Sequence, residues 1–239
     1  MNVVVLGCAG CGKSLLTGTL GKYLAGEGYS VKFLNLDPGC LFLPYKCDFD
    51  IREKFTVESI MRNEGLGPNG AMLRAMEMLS ETRIPLLNGD FVLVDTPGQL
   101  EIFAFHASGP KIVGQLADPV GIFIIDATVG VNDLPAAYLY SLATSYRLGI
   151  NTIITVNKVD LLDKRELRSF KKYLQNPKIL ARTIKARGVL ADIYMPILRA
   201  LCKVIPIQRF PIVSAKTGEG FDELLTMLYE VKCACGDLT

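Results

Sequence analysis

Four short segments carry residue types suited to phosphate and purine chemistry. Gly7-Cys-Ala-Gly-Cys-Gly-Lys-Ser14 has the spacing of a Walker A loop and lies between an apolar run and a helical one. The glycines let such a loop curl around phosphate. The backbone N–H groups of Gly10, Cys11, Gly12 and Leu15, at the start of a helix, supply donors. Lys13 reaches the β- and γ-phosphates, and the Ser14 hydroxyl ligates Mg²⁺. Asp95-Thr-Pro-Gly-Gln99 follows the apolar run Phe91-Val-Leu-Val94. That is the strand end where ligands bind in open α/β sheets, so Asp95 can hold Mg²⁺ through water and the Gly98 N–H can face the γ-phosphate. Asn157-Lys-Val-Asp160 ends another apolar run. The Asp160 carboxylate accepts from guanine N1–H and the 2-amino group, whereas adenine offers a mismatched edge. Lys158 would lie along the base, and Asn157 would tie this loop to its neighbours. Ser214-Ala215-Lys216 supplies a further loop whose backbone N–H meets the guanine carbonyl. Together the segments imply a site for a guanine nucleoside triphosphate with Mg²⁺.

These segments need elements to position them, and the hydropathy pattern provides repeated βα units around a mostly parallel sheet. Strands are predicted over Asn2–Leu6, Val31–Asn35, Phe91–Asp95, Gly121–Asp126, Thr152–Asn157 and Ile212–Ser214. All are brief and nearly uniformly apolar, as strands covered on both faces must be. Helices are predicted over Ser14–Leu24, Ala71–Glu81, Leu134–Leu148, Lys164–Leu174 and Phe221–Val231. The fold class is therefore α/β, a three-layer P-loop fold with a central sheet flanked by helices. Residues 161–209, roughly, are helical in pattern and rich in Lys and Arg, which predicts a helical insertion. No repeat or low-complexity linker divides the chain, and its 239 residues are read as one domain.

Composition narrows the partners. With 26 Lys and Arg against 24 Asp and Glu, the net charge of +2 creates no broad field for nucleic acid or an anionic membrane. The N-terminus runs directly into the glycine loop with no basic region before it, so no signal peptide is expected. The apolar stretch Val120–Ile125 is far short of the roughly 20 residues that span a bilayer. A soluble, cytoplasmic protein is the expectation, with its seven cysteines reduced. Cys8 and Cys11 form a CxxC whose spacing alone also suits a redox or metal pair, although the glycines already account for the loop. Cys233 and Cys235 form a CxC with no His nearby, and His106, the single histidine, is read as structural or solvated.

Gly65-Leu-Gly-Pro-Asn-Gly70 reads in isolation as a turn. Its Gly67-Pro68-Asn69, lying between the phosphate loop and Asp95, resembles the hallmark of the GPN-loop GTPases, which belong to the SIMIBI class. Asn35-Leu-Asp-Pro38, Asp50-Ile-Arg52, Thr56-Val57 and Asp95-Thr-Pro-Gly-Gln-Leu-Glu101 are similar to that family too, so the resemblance covers nearly the whole chain. Gly39 departs from the alanine expected after Asp-Pro, and Cys8 stands where partitioning ATPases carry an extra lysine. The resemblance implies GTP hydrolysis to GDP and phosphate. In it Asp37, Gln99 and Glu101 orient or activate the attacking water, and Asp37 also lies near Mg²⁺. It further implies a homodimer in which Asn69 reaches the γ-phosphate region of its own or of the partner's site, and a nucleotide-dependent switch acting on an unknown protein client. Eukaryotic members are associated with RNA polymerase II assembly. Two other classes compete. A nickel-chaperone-like GTPase would be expected to carry a Cys/His metal cluster, and a kinase would transfer phosphate to an acceptor other than water.

Overall fold

A computed structural model describes residues 1–130, 133–175, 196–197, 199–203 and 209–236. Its sheet has six strands: β1 (Asn2–Gly7), β2 (Val31–Asn35), β3 (Phe49–Asp50), β4 (Phe91–Asp95), β5 (Pro119–Asp126) and β6 (Asn151–Asn157). Their order is β3-β2-β4-β1-β5-β6, and every pairing is parallel. Parallel strands require crossovers: residues 36–48 make the one from β2 to β3 without a helix, and the others run through α1 (Lys13–Gly26), α2 (Val57–Glu64), α3 (Pro68–Glu81), α4 (Leu100–Phe105), α5 (Ser108–Val113) and α6 (Leu134–Leu148), with α7 (Lys164–Gln175) and α8 (Phe221–Gly236) following β6.

Alternation along β1 divides the core. Val3 and Val5 face α1 and α8, packing with Leu16, Leu20, Leu24, Phe221, Leu224 and Leu228. Val4 and Leu6 face the other way, towards Ile60, Met76, Leu79, Phe103 and Ile112 of α2 to α5. Both faces are thus covered, which is why the strands read as unbroken apolar runs. The described elements fit the expected three-layer α/β fold.

Register does the positioning. Asn35 pairs with Asp95, Gly7 with Ile124 and Asp126 with Asn157. The phosphate loop, Asp37, Asp95, Asp126 and the Asn157–Asp160 segment therefore all leave the same carboxyl edge of the sheet, where side chains from different crossovers converge.

Several elements differ from the sequence expectation. Ile212–Ser214 forms not a full strand but a single parallel bridge from Ile212 to Val156. It is closed by Val156 N–H to Pro211 O at 2.9 Å and Val213 N–H to Val156 O at 2.7 Å. The short β3 has no run of apolar residues to announce it; its backbone is fixed instead by polar side chains, described below. Gly67-Pro68-Asn69 does not end a turn. It starts α3, with Gly67 extended at the N-cap and Pro68 in the first helical turn, where its missing N–H costs nothing. Of the expected insertion, α7 is seen; residues 176–195, 198 and 204–208 lie outside the described residues. No helix among the described residues is long and apolar enough to cross a membrane.

Candidate functional site

The loop between β1 and α1 is shaped by glycines with positive φ: Gly10 at 76° and Gly12 at 98°. Gly12 is required on steric grounds as well, because a Cβ there would stand 2.6 Å from Asn157 Nδ2. Lys13 is buried, and its Nζ donates to the carbonyls of Gly7 at 2.8 Å and Cys8 at 3.2 Å, which curls the loop around the ammonium. Ser14 and Leu15 follow in the first turn of α1, and Leu15 is 41% exposed. The cysteines of the loop are free thiols in different settings. Cys8 is exposed, while Cys11 is buried, with its thiol pushed up to about 11 by that burial. Such a thiol packs as a small apolar group.

Beside this loop three acidic or amide side chains converge from β2 and β4. Asp37 caps its own turn: Gly39 N–H donates to Oδ1 at 2.8 Å, and Gly98 N–H donates to Oδ2 at 3.2 Å. The Gly98 amide expected to face a phosphate is here joined to Asp37, so the turns after β2 and β4 are linked. Burial pushes the Asp37 carboxyl up, and those two amides pull it back. Asp95 is 1% exposed. Its Oδ2 accepts from the Tyr45 hydroxyl at 2.8 Å, while Oδ1 has no hydrogen-bond partner. Burial raises its pKa, the hydroxyls of Ser14 and Tyr45 oppose that, and the nearby Asp37 carboxylate adds to it. Gln99, half-buried, has an Oε1 that is also without a partner. Buried polar atoms are nearly always satisfied, so two such atoms at one strand end mark groups shaped for something outside the chain. Glu101 lies one turn further on, exposed in the first turn of α4. There it faces Tyr140, whose phenol is raised by burial and then by this carboxylate.

The opposite end of the edge is internally closed. Asn157, 1% exposed, donates from Nδ2 to Cys11 O at 2.9 Å and accepts at Oδ1 from Ala215 N–H at 2.9 Å. One amide thus links the phosphate loop to the Ser214–Lys216 loop. Ser214 Oγ donates to Asp160 Oδ1 at 2.7 Å and accepts from Thr217 N–H at 3.1 Å. Lys158 is one of two described non-glycine residues with positive φ, at 67°. Its Nζ is held 2.6 Å from Asp126 Oδ2. Lys216 and Asp160 are exposed at the lip.

Some site residues were not expected from sequence. Asp126 occupies the same strand-end position on β5 as Asp95 on β4, a signal that the strand assignment already contained. Its Oδ1 caps the turn that follows, accepting from Thr128 N–H at 2.9 Å and Thr128 Oγ1 at 2.7 Å. Tyr45 carries no local signal, because it meets Asp95 across 50 residues of chain. The segments Asn35–Pro38 and Asp50–Arg52 turn out to be joined. Asn35 Nδ2 donates to Asp50 Oδ1 at 2.9 Å, and the Arg52 guanidinium grips Asp50 while Nη1 donates to Cys40 O at 3.0 Å. This network, which holds the Asp50 carboxyl below the usual range despite burial, fixes β3 and the loop after Asp37.

Other sequence candidates stay apart. Gly67, Pro68 and Asn69 are exposed at the start of α3, and the Asn69 side chain makes no hydrogen bond within the described residues. His106 is structural: Nδ1 lies 3.0 Å from Ser108 Oγ and accepts from Ser108 N–H at 3.3 Å, at the first residue of α5. Cys233 is an exposed free thiol.

Comparison with known proteins gives the family. Residues 5–234 match a family described as a conserved hypothetical ATP binding protein. The chain is 40% identical, over the full length of both, to GPN-loop GTPase PAB0955 of Pyrococcus abyssi. It is 28% identical to GPN-loop GTPase 1 of Schizosaccharomyces pombe, covering 93% of this chain and 66% of that one. The crystal structure of PAB0955, a GTPase in apo form, superposes with a TM-score of 0.89 at 39% identity, covering 98% of each chain. With the phosphate loop, the strand-end carboxylates and the base-end loops all in place on the carboxyl edge, the chain belongs to the GPN-loop GTPases and is a GTP-binding GTP hydrolase.

Proposed function

We propose that GTP lies across the carboxyl edge of the sheet with its phosphates in the β1–α1 loop and its base between Lys158 and the Ser214–Lys216 loop. The observation carrying this reading is the pair of orphaned buried atoms, Asp95 Oδ1 and Gln99 Oε1, beside Asp37. Ser14 and Asp95 present a hydroxyl and carboxylate oxygens, with Asp37 next to them, and this donor set fits a hard divalent cation such as Mg²⁺. When bound, Mg²⁺ would neutralise charge on the β- and γ-phosphates.

The chain's own residues divide the remaining work. Lys13, already desolvated, brings a cation against the phosphates and exchanges its carbonyl partners Gly7 and Cys8 for phosphate oxygens. Gln99 holds the attacking water through its amide, and Asp37 accepts one of that water's hydrogens while keeping Gly98 in place. The water oxygen bonds to the γ-phosphorus as the bond to the bridging oxygen breaks, so the products are GDP and phosphate. Glu101 acts from the edge of the site, as its exposure suits. Asp160, positioned by Ser214, pairs with guanine N1–H and the 2-amino group, which makes guanine rather than adenine the cognate base.

The exposed Gly67-Pro68-Asn69 segment lies outside the cluster formed by its own chain, which supports a second copy of the chain as its partner. In that reading the protein is a dimeric switch whose hydrolysis state is read by a protein client during assembly of protein complexes. Single-turnover hydrolysis by Gln99→Ala and Asp37→Ala tests the chemical assignment. Each is expected to lose about 100-fold in rate with GTP affinity within about 3-fold of the unmodified protein. Unchanged rates with intact binding would remove both residues from the mechanism.

A further inference from the structure

We infer that Tyr45 is a positioning residue of the metal site: its hydroxyl holds one oxygen of Asp95 so that the other faces the phosphate loop. This rests on the reading of Asp95 and Ser14 as the cation's ligands. The two carboxylate oxygens of Asp95 have unlike surroundings. Oδ2 accepts from Tyr45 at 2.8 Å, and Oδ1, in a residue 1% exposed, has no partner. A carboxylate rotates readily about its last bond, and outer hydrogen bonds are what fix a ligating carboxylate in one orientation. Ser14 also approaches Asp95 and belongs to the proposed cation's ligands, which leaves Tyr45 as the donor outside the ligand set that can do this for Asp95.

Its own position is over-determined. The ring stacks on Phe33 with centroids 4.9 Å apart at 21°. Its Cδ1 lies 3.2 Å from where a Cβ on Gly18 of α1 would stand, so the missing side chain there makes room for the ring. The loop carrying it is tied at both ends. Arg52 donates to Cys40 O, and Asp48 accepts from Phe33 N–H at 2.9 Å and from Lys32 Nζ at 3.0 Å. A tyrosine merely filling space would not need its hydroxyl aimed at a buried carboxylate. A tyrosine phenol is a hydrogen-bond donor at neutral pH.

Tyr45→Phe removes one oxygen and keeps the ring on Phe33. The measurement is a calorimetric Mg²⁺ titration of GDP-loaded protein, with GDP affinity measured separately in EDTA and folding checked by circular dichroism. Tyr45→Phe is expected to weaken Mg²⁺ about 10-fold while GDP affinity in EDTA stays within about 2-fold. Asp95→Asn is run alongside and is expected to weaken Mg²⁺ at least as much. If Asp95→Asn weakens Mg²⁺ and Tyr45→Phe leaves it unchanged or tighter, the positioning role is wrong while the metal site stands. If neither variant changes Mg²⁺ affinity, the assignment of Asp95 to the metal fails, and the role of Tyr45 fails with it.

Discussion

The two ends of the carboxyl edge are built on opposite plans. At the base end, the buried polar groups that join the loops are already satisfied within the chain: Asn157 binds Cys11 O and Ala215 N–H, and Ser214 binds Asp160 and Thr217. At the hydrolysis end, Asp95 and Gln99 keep buried oxygens without partners, and burial raises the carboxyls of Asp95 and Asp37. In the proposed reading the base end stores its specificity as a rigid template. The hydrolysis end stores unsatisfied polarity that a ligand can complete, which lowers the stability of the chain alone and raises its gain on binding.

The contrast can be broken at its strongest point first. If the base end is a template read by one carboxylate, Asp160→Asn should weaken GTP binding about 100-fold, roughly 2.7 kcal/mol, because an amide nitrogen or a single oxygen replaces two acceptors facing two donors. The Ser214 contact can survive that substitution, so the fold should be unaffected. Calorimetric titration decides it, and equal affinity would show that recognition lies elsewhere.

The next largest effect belongs to the Asn157 link between the loops. Asn157→Ala strands a buried carbonyl and a buried N–H, each costing about 1–3 kcal/mol. At roughly 2–4 °C per kcal/mol in a domain of this size, that corresponds to a fall in Tm of about 4 °C at the least and about 24 °C at the most without nucleotide. A fall under about 2 °C would mean the two loops do not depend on this link.

The smallest expected effect has the opposite sign and belongs to the other end. The pKa of Asp95 is raised in the fold, so folding favours its protonated form. On its account stability is fully present below the ordinary value of 3.8 and is lost as pH rises through the raised folded value. Asp95→Asn removes that loss. Thermal melts of the nucleotide-free protein should show the variant a few degrees more stable at pH 7.5, with the gain shrinking as pH falls towards 4. A variant less stable than the parent at both pH values would contradict the picture of stored unsatisfied polarity.

Much of this was legible in the chain itself. The phosphate loop, the strand-end carboxylates and the Asn157–Asp160 motif are local patterns, in which function demands particular residue types within a few positions. Strands β1, β2, β4, β5 and β6 could be read because burial on both faces leaves nearly uninterrupted apolar runs. β3 could not, because two residues stabilised by Asn35, Arg52 and a neighbouring strand have no periodicity of their own. The Gly-Pro-Asn start of α3 has a similar origin, since proline and glycine suit a turn and a first helical turn equally well.

The sequence alone thus determined the groups available, namely a glycine-rich loop with its lysine, strand-end carboxylates and the Asn157–Asp160 segment, because each depends on residue type and short spacing. Only the tertiary structure decided how those groups are oriented. Tyr45 meets Asp95 across 50 residues, Gly98 meets Asp37 across 61, and Asn157 reaches Cys11 across 146. Contacts of that kind follow from strand register and helix packing, which bring distant crossovers to one edge of the sheet and leave no trace in any local stretch of sequence.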